Sequence, residues 1–89
     1  MKVEDALVMA RDYIAKNIPP SSNGGRFVIV LDGIAEEDDG WFFPYQTEKF
    51  LETKDLQFSV VGNWPVFVSK DGRIGLRRFG APFSPKLEE

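Results

Sequence analysis

The chain has 89 residues and a net charge of −3, and it contains neither cysteine nor histidine. Without them it has no disulfide, no thiolate metal site, no thiol nucleophile and no imidazole base, which excludes Ser-His-Asp and Cys-His catalysis. A chain of this length builds one modest core, and a composition that is 43% hydrophobic argues against disorder. We therefore predict one domain over residues 1–89, ordered from about 3 to 80 with an irregular tail at 81–89, that is not an enzyme and holds no metal or cofactor.

The N-terminal third predicts a helix followed by a buried strand. Apolar residues recur at helical spacing from Val3 to Ile14, which predicts a helix over residues 3–17 that ends before Pro19. A short run rich in β-branched residues, Phe27–Leu31, is bounded by turn-forming residues and predicts the strand.

An aromatic strand follows an acidic loop in the middle third. The run GIAEEDDG is predicted as the loop and WFFPYQ as the strand after it. Trp41, Phe43 and Tyr45 share one face of that strand, which we predict to be core, while the face that includes Phe42 needs the helix or a partner to cover it. The alternative is that the three rings form an exposed recognition face. Pro44 cannot donate to a strand ladder, so it indicates an edge or a bulge.

The C-terminal third predicts a β-hairpin. Val66–Val68 and a second run from Ile74 to Phe79 are joined through Asp71-Gly72, a dipeptide typical of hairpin turns. Before the hairpin, Thr47–Thr53 predicts a short helical turn, and residues 56–61 are compatible with strand or loop. This order of elements predicts the α+β class, with an N-terminal helix packed on an antiparallel sheet of about four strands.

Charge is distributed unevenly along the chain. Residues 26–55 carry three positive and eight negative charges, a net of −5, whereas residues 56–89 carry five positive and three negative charges, a net of +2. Half of the negative charges in the first segment are consecutive: Glu36, Glu37, Asp38 and Asp39. Such polarisation favours electrostatic steering of a charged partner. The four acids are therefore a candidate protein-binding loop for a basic partner, and the alternative is a solvated hairpin tip that keeps the aromatic strand soluble.

Trp64 is the second candidate for protein binding. In the motif GNWP, its neighbours Gly62, Asn63 and Pro65 are predicted to shape a turn, which leaves the tryptophan as the residue least explained by folding. Tryptophan is enriched among the residues that dominate interface energies. We predict that Trp64 anchors a partner beside the four acids, with a purely structural place in the turn as the alternative.

The ordered set of these features resembles the immunity protein 35 family, small bacterial proteins associated with polymorphic toxin systems. The resemblance covers about residues 3–80 and is carried by these features: Ala6, Ala10 and Tyr13 in the helix, the strand from Phe27 to Leu31, Gly40-Trp41-x-Phe43-x-Tyr45, Phe50-Leu51-Glu52-Thr53, Gly62-Asn63-x-Pro65 with Val68, and Asp71-Gly72. Trp64 departs from the family pattern, in which a small residue is expected, and the acidic loop does not map onto it.

The resemblance implies an immunity protein that binds a cognate toxin and neutralises it by occlusion, with no catalytic residues of its own. A chaperone-like or adaptor module is the alternative. No nucleic-acid partner is expected because the charge balance gives no dominant basic patch. No signal peptide is visible and no apolar run approaches the roughly 20 residues of a membrane span, so we predict a cytoplasmic protein with no membrane partner. A monomer and a small homo-oligomer are both compatible with the sequence.

Overall fold

A computed structural model describes residues 1–60 and 63–78 of the chain, which form helices, short 3₁₀ turns and antiparallel strands. In chain order the elements are α1 (Val3–Asn17), β1 (Phe27–Ile29), a 3₁₀ turn (Leu31–Gly33), β2 (Ala35–Glu37), β3 (Gly40–Phe43), β4 (Tyr45–Thr47), α2 (Glu48–Thr53), a second 3₁₀ turn (Leu56–Phe58), β5 (Val66–Ser69) and β6 (Ile74–Leu76). The predicted α+β class is confirmed. The predicted tail at 81–89, Phe79 at the predicted end of the hairpin and Gly62 of the GNWP motif lie outside the described residues.

The strands form two antiparallel sheets. The larger has the order β2-β3-β5-β6, and the smaller pairs β1 with β4. The larger sheet has the predicted four strands, but β1 belongs to the other one. The predicted C-terminal hairpin is confirmed, since β5 and β6 pair with Val68 opposite Ile74. Gly72 in its turn has a φ of +94°, a conformation that glycine adopts without strain.

The helix α1 covers the inner face of the sheets. Its bounds are those predicted, and its buried residues Ala6, Ala10 and Ile14 recur every four positions along one stripe. They pack in one core cluster that includes Val66 and Val68 of β5. Small alanine side chains allow the helix to lie close to the sheets, so the core is built from one helix stripe and the strand faces that it covers.

The aromatic segment divides at Pro44 instead of forming the single predicted strand. Proline has no N–H to return to a neighbouring strand. As a result, β3 pairs with β5 while β4 pairs with β1, and one continuous segment contributes to both sheets. Trp41, Phe43 and Tyr45 are all buried in the core cluster. The predicted core face is confirmed, and the alternative of an exposed aromatic face is wrong.

The prediction that β1 extends to Leu31 is wrong for a related reason. The N–H of Val30 donates to the carbonyl of Pro44 at 2.9 Å, but Pro44 has no N–H with which to bond back. The ladder therefore stops, and Leu31 begins a 3₁₀ turn with 56% of its surface exposed.

The outer edge of β4 is closed by side chains. The Gln46 amide accepts a hydrogen bond from the N–H of Val60 at 2.9 Å and donates one to its carbonyl. The buried Thr47 hydroxyl donates to the carbonyl of Phe58 at 2.6 Å and accepts the N–H of Phe50 at 3.1 Å, which caps α2. These two side chains hold the second 3₁₀ turn and the residues after it against the smaller sheet.

Burial of Tyr45 makes the stability of the fold depend on pH in the alkaline range. Burial raises the pKa of Tyr45, hydrogen bonding with the Asn63 side chain lowers it by less, and nearby Tyr13 adds a further rise. The folded state therefore keeps the phenol proton where an unfolded chain, with a tyrosine pKa of about 10, has lost it. Because the folded state then binds more protons than the unfolded state, stability falls as pH rises above about 10.

We expect the urea midpoint of the wild-type protein to fall between about pH 9 and pH 11, across the ordinary titration range of tyrosine. The fall should be smaller in Tyr45→Phe, since that variant has no phenol to ionise in the core. Both proteins share every other titrating group, so the difference between their two pH profiles isolates Tyr45. Parallel profiles would contradict the assignment.

Candidate functional site

The four consecutive acids Glu36–Asp39, which we call the acidic tip, close the β2–β3 hairpin. Glu36 and Glu37 belong to β2, and Asp38 and Asp39 form the turn that leads into β3. All four are exposed. The predicted loop is therefore in part a strand, and that strand is an edge of the larger sheet. Charged side chains on an edge strand discourage pairing with another chain.

Two of the acids have cationic partners from the C-terminal hairpin. Glu36 pairs with Lys70 at 3.0 Å, and Asp39 pairs with Arg77 at 3.1 Å. The N–H of Lys70 also donates to the carbonyl of Asp39 at 2.9 Å. In the part of the chain that the structure describes, Glu37 and Asp38 have no ion pair. The negative middle segment and the positive final segment thus meet at one end of the sheet, and these six side chains carry a net charge of −2.

Arg77 is the least exposed charged group at the tip, with 11% of its side chain accessible. Its guanidinium lies 4.4 Å from the centroid of the Phe67 ring and 5.1 Å from that of Phe42. One of its nitrogens donates to both carboxylate oxygens of Asp39, at 3.1 and 3.3 Å. A planar guanidinium can stack on rings and hold a carboxylate at the same time. Asp39 is therefore fixed in place by a residue that also covers the aromatic face opposite α1.

The sequence predicts that the face with Phe42 needs the helix or a partner to cover it, and the structure shows a different cover. Phe42 is 1% exposed and meets Phe67 edge-on, with ring centroids 5.0 Å apart. The two rings lie on the face of the larger sheet away from α1, because residues alternate between faces along a strand. Arg77, rather than the helix, lies over them.

The turn of the C-terminal hairpin is also tied together by polar groups. The buried Ser69 hydroxyl donates to the Asp71 carboxylate and accepts the N–H of Arg73 at 2.8 Å. The Ser69 hydrogen bond, followed by that of Arg73, lowers the pKa of Asp71. These bonds hold the backbone at Ser69 and Lys70, from which Lys70 reaches the acidic tip.

Trp64 does not lie beside the acidic tip, contrary to the sequence prediction. Gly40 pairs with Ser69 and Phe43 with Val66, so the tip adjoins the Ser69 end of β5 while Trp64 lies beyond its other end. Five residues at about 3.4 Å each separate Trp64 from Ser69 by roughly 17 Å. Trp64 is 40% exposed, which makes it one of the large apolar side chains left open to solvent.

The aromatic residue beside the tip is Trp41. It pairs with Glu36 across the β2–β3 ladder, and the Lys70 amine lies 5.7 Å from the centroid of its ring. Trp41 is only 5% exposed, so it supports the tip from the core and offers little surface to a partner. The ion pairs of the tip left no local signal in the sequence, because Lys70 and Arg77 are 34 and 38 positions from their partners.

Two features are absent from the described residues. Among residues 1–60 and 63–78, no group of three or more carboxylates is arranged to hold a metal ion. Within the same ranges, no helix has the length and apolar character needed to cross a membrane. The fold and surface define a small α+β protein whose most distinctive exposed feature is a net-negative hairpin tip.

Comparison with known proteins places this chain in a family. The model of the family described as Immunity protein 35 matches residues 4–89, so the chain belongs to the immunity protein 35 family. The resemblance drawn from the sequence is confirmed. Comparisons with curated proteins and with solved structures gave no match.

Proposed function

We propose that the chain is the immunity partner of a toxin–immunity pair, which binds a cognate toxin in the cytoplasm of the producing cell and neutralises it by occlusion. The observation that carries this proposal is the family match over residues 4–89. The proposed mechanism is that the chain covers the toxin's active site or substrate path, which needs no catalytic group of its own. We further propose that residues 1–89 act as one domain, as a monomer or a small homo-oligomer.

The acidic tip is the proposed site of first encounter with the toxin. Glu37 and Asp38 are exposed and have no cationic partner within the described residues, whereas Lys70 and Arg77 offset part of the charge of Glu36 and Asp39. Rim charges of this kind mainly raise the association rate with a partner of opposite charge. The tip therefore suits a toxin with a basic face, such as one that acts on a polyanion.

Trp64 is the proposed anchor of the complex. An exposed tryptophan supplies a large apolar surface, and burial of such residues dominates many interfaces. Its separation of about 17 Å from Ser69, at the end of β5 that adjoins the tip, fits within one ordinary interface, which covers about 800 Å² per partner. Steering and anchoring would then fall on different parts of one contact surface.

Binding kinetics with the toxin that co-purifies from the native host test the tip. We expect Glu37→Gln/Asp38→Asn to slow association about three- to tenfold at low salt, with little change in dissociation, because these acids attract the partner before contact. The effect should shrink at about 0.5 M salt. Asp32→Asn/Glu52→Gln is the matched control, since it removes the same charge from exposed residues away from the tip. Equal slowing by both pairs would contradict a local role for the tip.

The same measurement tests the anchor. We expect Trp64→Ala to weaken binding by about 2 kcal/mol, seen as dissociation about 30-fold faster. Val8→Ala truncates an apolar residue that is 65% exposed on α1 and should leave the rates unchanged. Unchanged rates for folded Trp64→Ala would place the interface elsewhere.

Toxin activity measured with a saturating amount of the chain bound to the toxin tests neutralisation itself. Full activity in that complex would reject neutralisation and favour the adaptor alternative.

A further inference from the structure

An apolar groove runs between the C-terminal half of α1 and strand β1, in the smaller sheet. Its volume is about 380 Å³, within the range of about 300–1,000 Å³ typical of ligand pockets. Its apolar walls come from the helix and from the strand with the turn after it: Ile14, Ile18, Phe27, Ile29 and Leu31. The groove is separate from the acidic tip, which belongs to the larger sheet.

The outer edge of β1 presents backbone groups to this groove. The carbonyl of Arg26 accepts the N–H of Glu48, and the N–H of Val30 donates to Pro44. The residue midway between them, Val28, therefore directs its backbone groups toward β4. Successive residues of an antiparallel strand alternate in this respect. Phe27 and Ile29 therefore direct their N–H and C=O groups to the outer edge, where no partner exists within residues 1–60 and 63–78.

This edge lacks the protection that two other described edges have. The edge strand β2 carries Glu36 and Glu37, and the outer edge of β4 is closed by Gln46 and Thr47. In contrast, β1 consists of Phe-Val-Ile, with no charge and no proline. Ile29 is only 8% exposed, and any backbone N–H or C=O group that is buried needs a hydrogen-bonding partner. An uncharged edge that has no partner in the described part of the chain and lies beside an apolar groove is suited to pairing with another strand.

The charges around the groove indicate what kind of strand fits. Every charged residue that lines the groove is an arginine, either Arg11 or Arg26. Arg11 is exposed and has no ion pair in the described part of the chain, and Arg26 has only a solvent-exposed pair with Glu48 at 3.3 Å, which holds it weakly. A partner with a carboxylate at this position gains a favourable contact.

We propose that the outer edge of β1 accepts an extended segment of another protein as an added strand. Backbone hydrogen bonds to Phe27 and Ile29 would hold the segment, its alternate apolar side chains would enter the groove, and an acidic residue at one end would meet Arg11 or Arg26. This is the strand-addition mode of peptide recognition, in which the main chain provides affinity and pockets provide specificity. The site is independent of toxin neutralisation, and its preference for acidic segments is opposite to that of the tip.

Nuclear magnetic resonance titration with designed peptides tests the proposal. The first probe is the capped peptide Glu-Val-Thr-Val-Thr-Val-Glu, the second replaces both glutamates by lysine, and the third carries N-methyl groups on alternate amides. We expect the first peptide to shift and protect the amides of Phe27 and Ile29, the second to bind at least tenfold more weakly, and the third not to bind. Arg11→Glu/Arg26→Glu should reverse the preference between the first two.

Two further variants separate this site from the others. Leu31→Lys, at an exposed wall of the groove, should lower the affinity for the first peptide at least fivefold. Glu37→Gln/Asp38→Asn should leave that affinity unchanged. Equal binding of the N-methylated peptide, shifts that map elsewhere, or no binding of the first peptide at about 1 mM would overturn the proposal. Protection of the same two amides by self-association, measured by sedimentation without peptide, would make a second copy the occupant and would also overturn it.

Discussion

Replacing Gly40 with alanine is expected to lower the free energy of unfolding by about 3 kcal/mol or more, measured by urea denaturation. A Cβ atom at this position would overlap the backbone carbonyl oxygen of Val68 and lie 2.8 Å from the Cα of Ser69. Backbone atoms of a paired strand cannot move aside without breaking the β3–β5 ladder. The overlap can therefore be relieved only by losing hydrogen bonds between these strands. A domain of this size has only about 4–13 kcal/mol of stability in total.

Gly25→Ala is the control for this substitution. Gly25 has a φ of +81°, and nothing lies within 4 Å of a Cβ built there. Its replacement should cost about 1 kcal/mol from the left-handed backbone alone. If Gly40→Ala cost no more than Gly25→Ala, the close approach of β3 to β5 would be wrong. Because Gly40 directly follows the acidic tip, that approach also determines where the tip sits over β5.

Replacing Arg77 with alanine is expected to destabilise the fold by about 3 kcal/mol, the second large effect. The substitution removes a guanidinium from the faces of Phe42 and Phe67, removes the hydrogen bonds to Asp39, and uncovers apolar surface that the side chain now shields. A largely buried arginine contributes through its ring contacts and packing as well as through its charge. Urea denaturation at neutral pH gives the value directly.

Three variants apportion the effect of Arg77. Arg77→Lys keeps the charge but not the planar group, so it should recover only part of the loss. Arg78→Ala removes a neighbouring exposed arginine and should change stability by less than about 0.5 kcal/mol. Asp39→Asn leaves the ring contacts in place and should cost about 1 kcal/mol. An Asp39→Asn variant as unstable as Arg77→Ala would show that the ion pair, not the stacking, stabilises this face.

The elements that the sequence predicted well are those with local signals. The stripe of Ala6, Ala10 and Ile14 makes one face of a helix by spacing alone, and the Asp71-Gly72 turn sets its hairpin within a few residues. The sites where prediction failed depend on partners distant in sequence. The sequence indicates that Pro44 disrupts the aromatic strand. Whether the proline bends that strand or divides it into two depends on which other strands pair with the residues on either side.

The acidic tip shows the same limit. Glutamate is depleted in strands, so the run that contains β2 has the composition of a loop, and only the pairing of Ala35 with Phe42 reveals the strand. The ion pairs of Lys70 and Arg77 likewise exist because β5 and β6 bring them to the tip. The sequence identified the acids but not their partial neutralisation, and it placed Trp64 beside them because it gave no register between β3 and β5.

The Gln46 side chain controls how the residues around Val60 separate from the smaller sheet. By bonding both backbone groups of Val60, one side chain takes the place of a neighbouring strand. The residues of the second 3₁₀ turn can therefore detach through a rotation of Gln46 and Thr47 and the loss of the hydrogen bond from the Asn23 side chain to the carbonyl of Gln57. No hydrogen bond between strands is lost. Amide exchange at Val60 would then follow a local opening, while exchange within β3 and β5 would follow global unfolding. We therefore expect the residues around Val60 to open at a lower free energy than β3 and β5, with the Gln46 side chain at the boundary between the two regions.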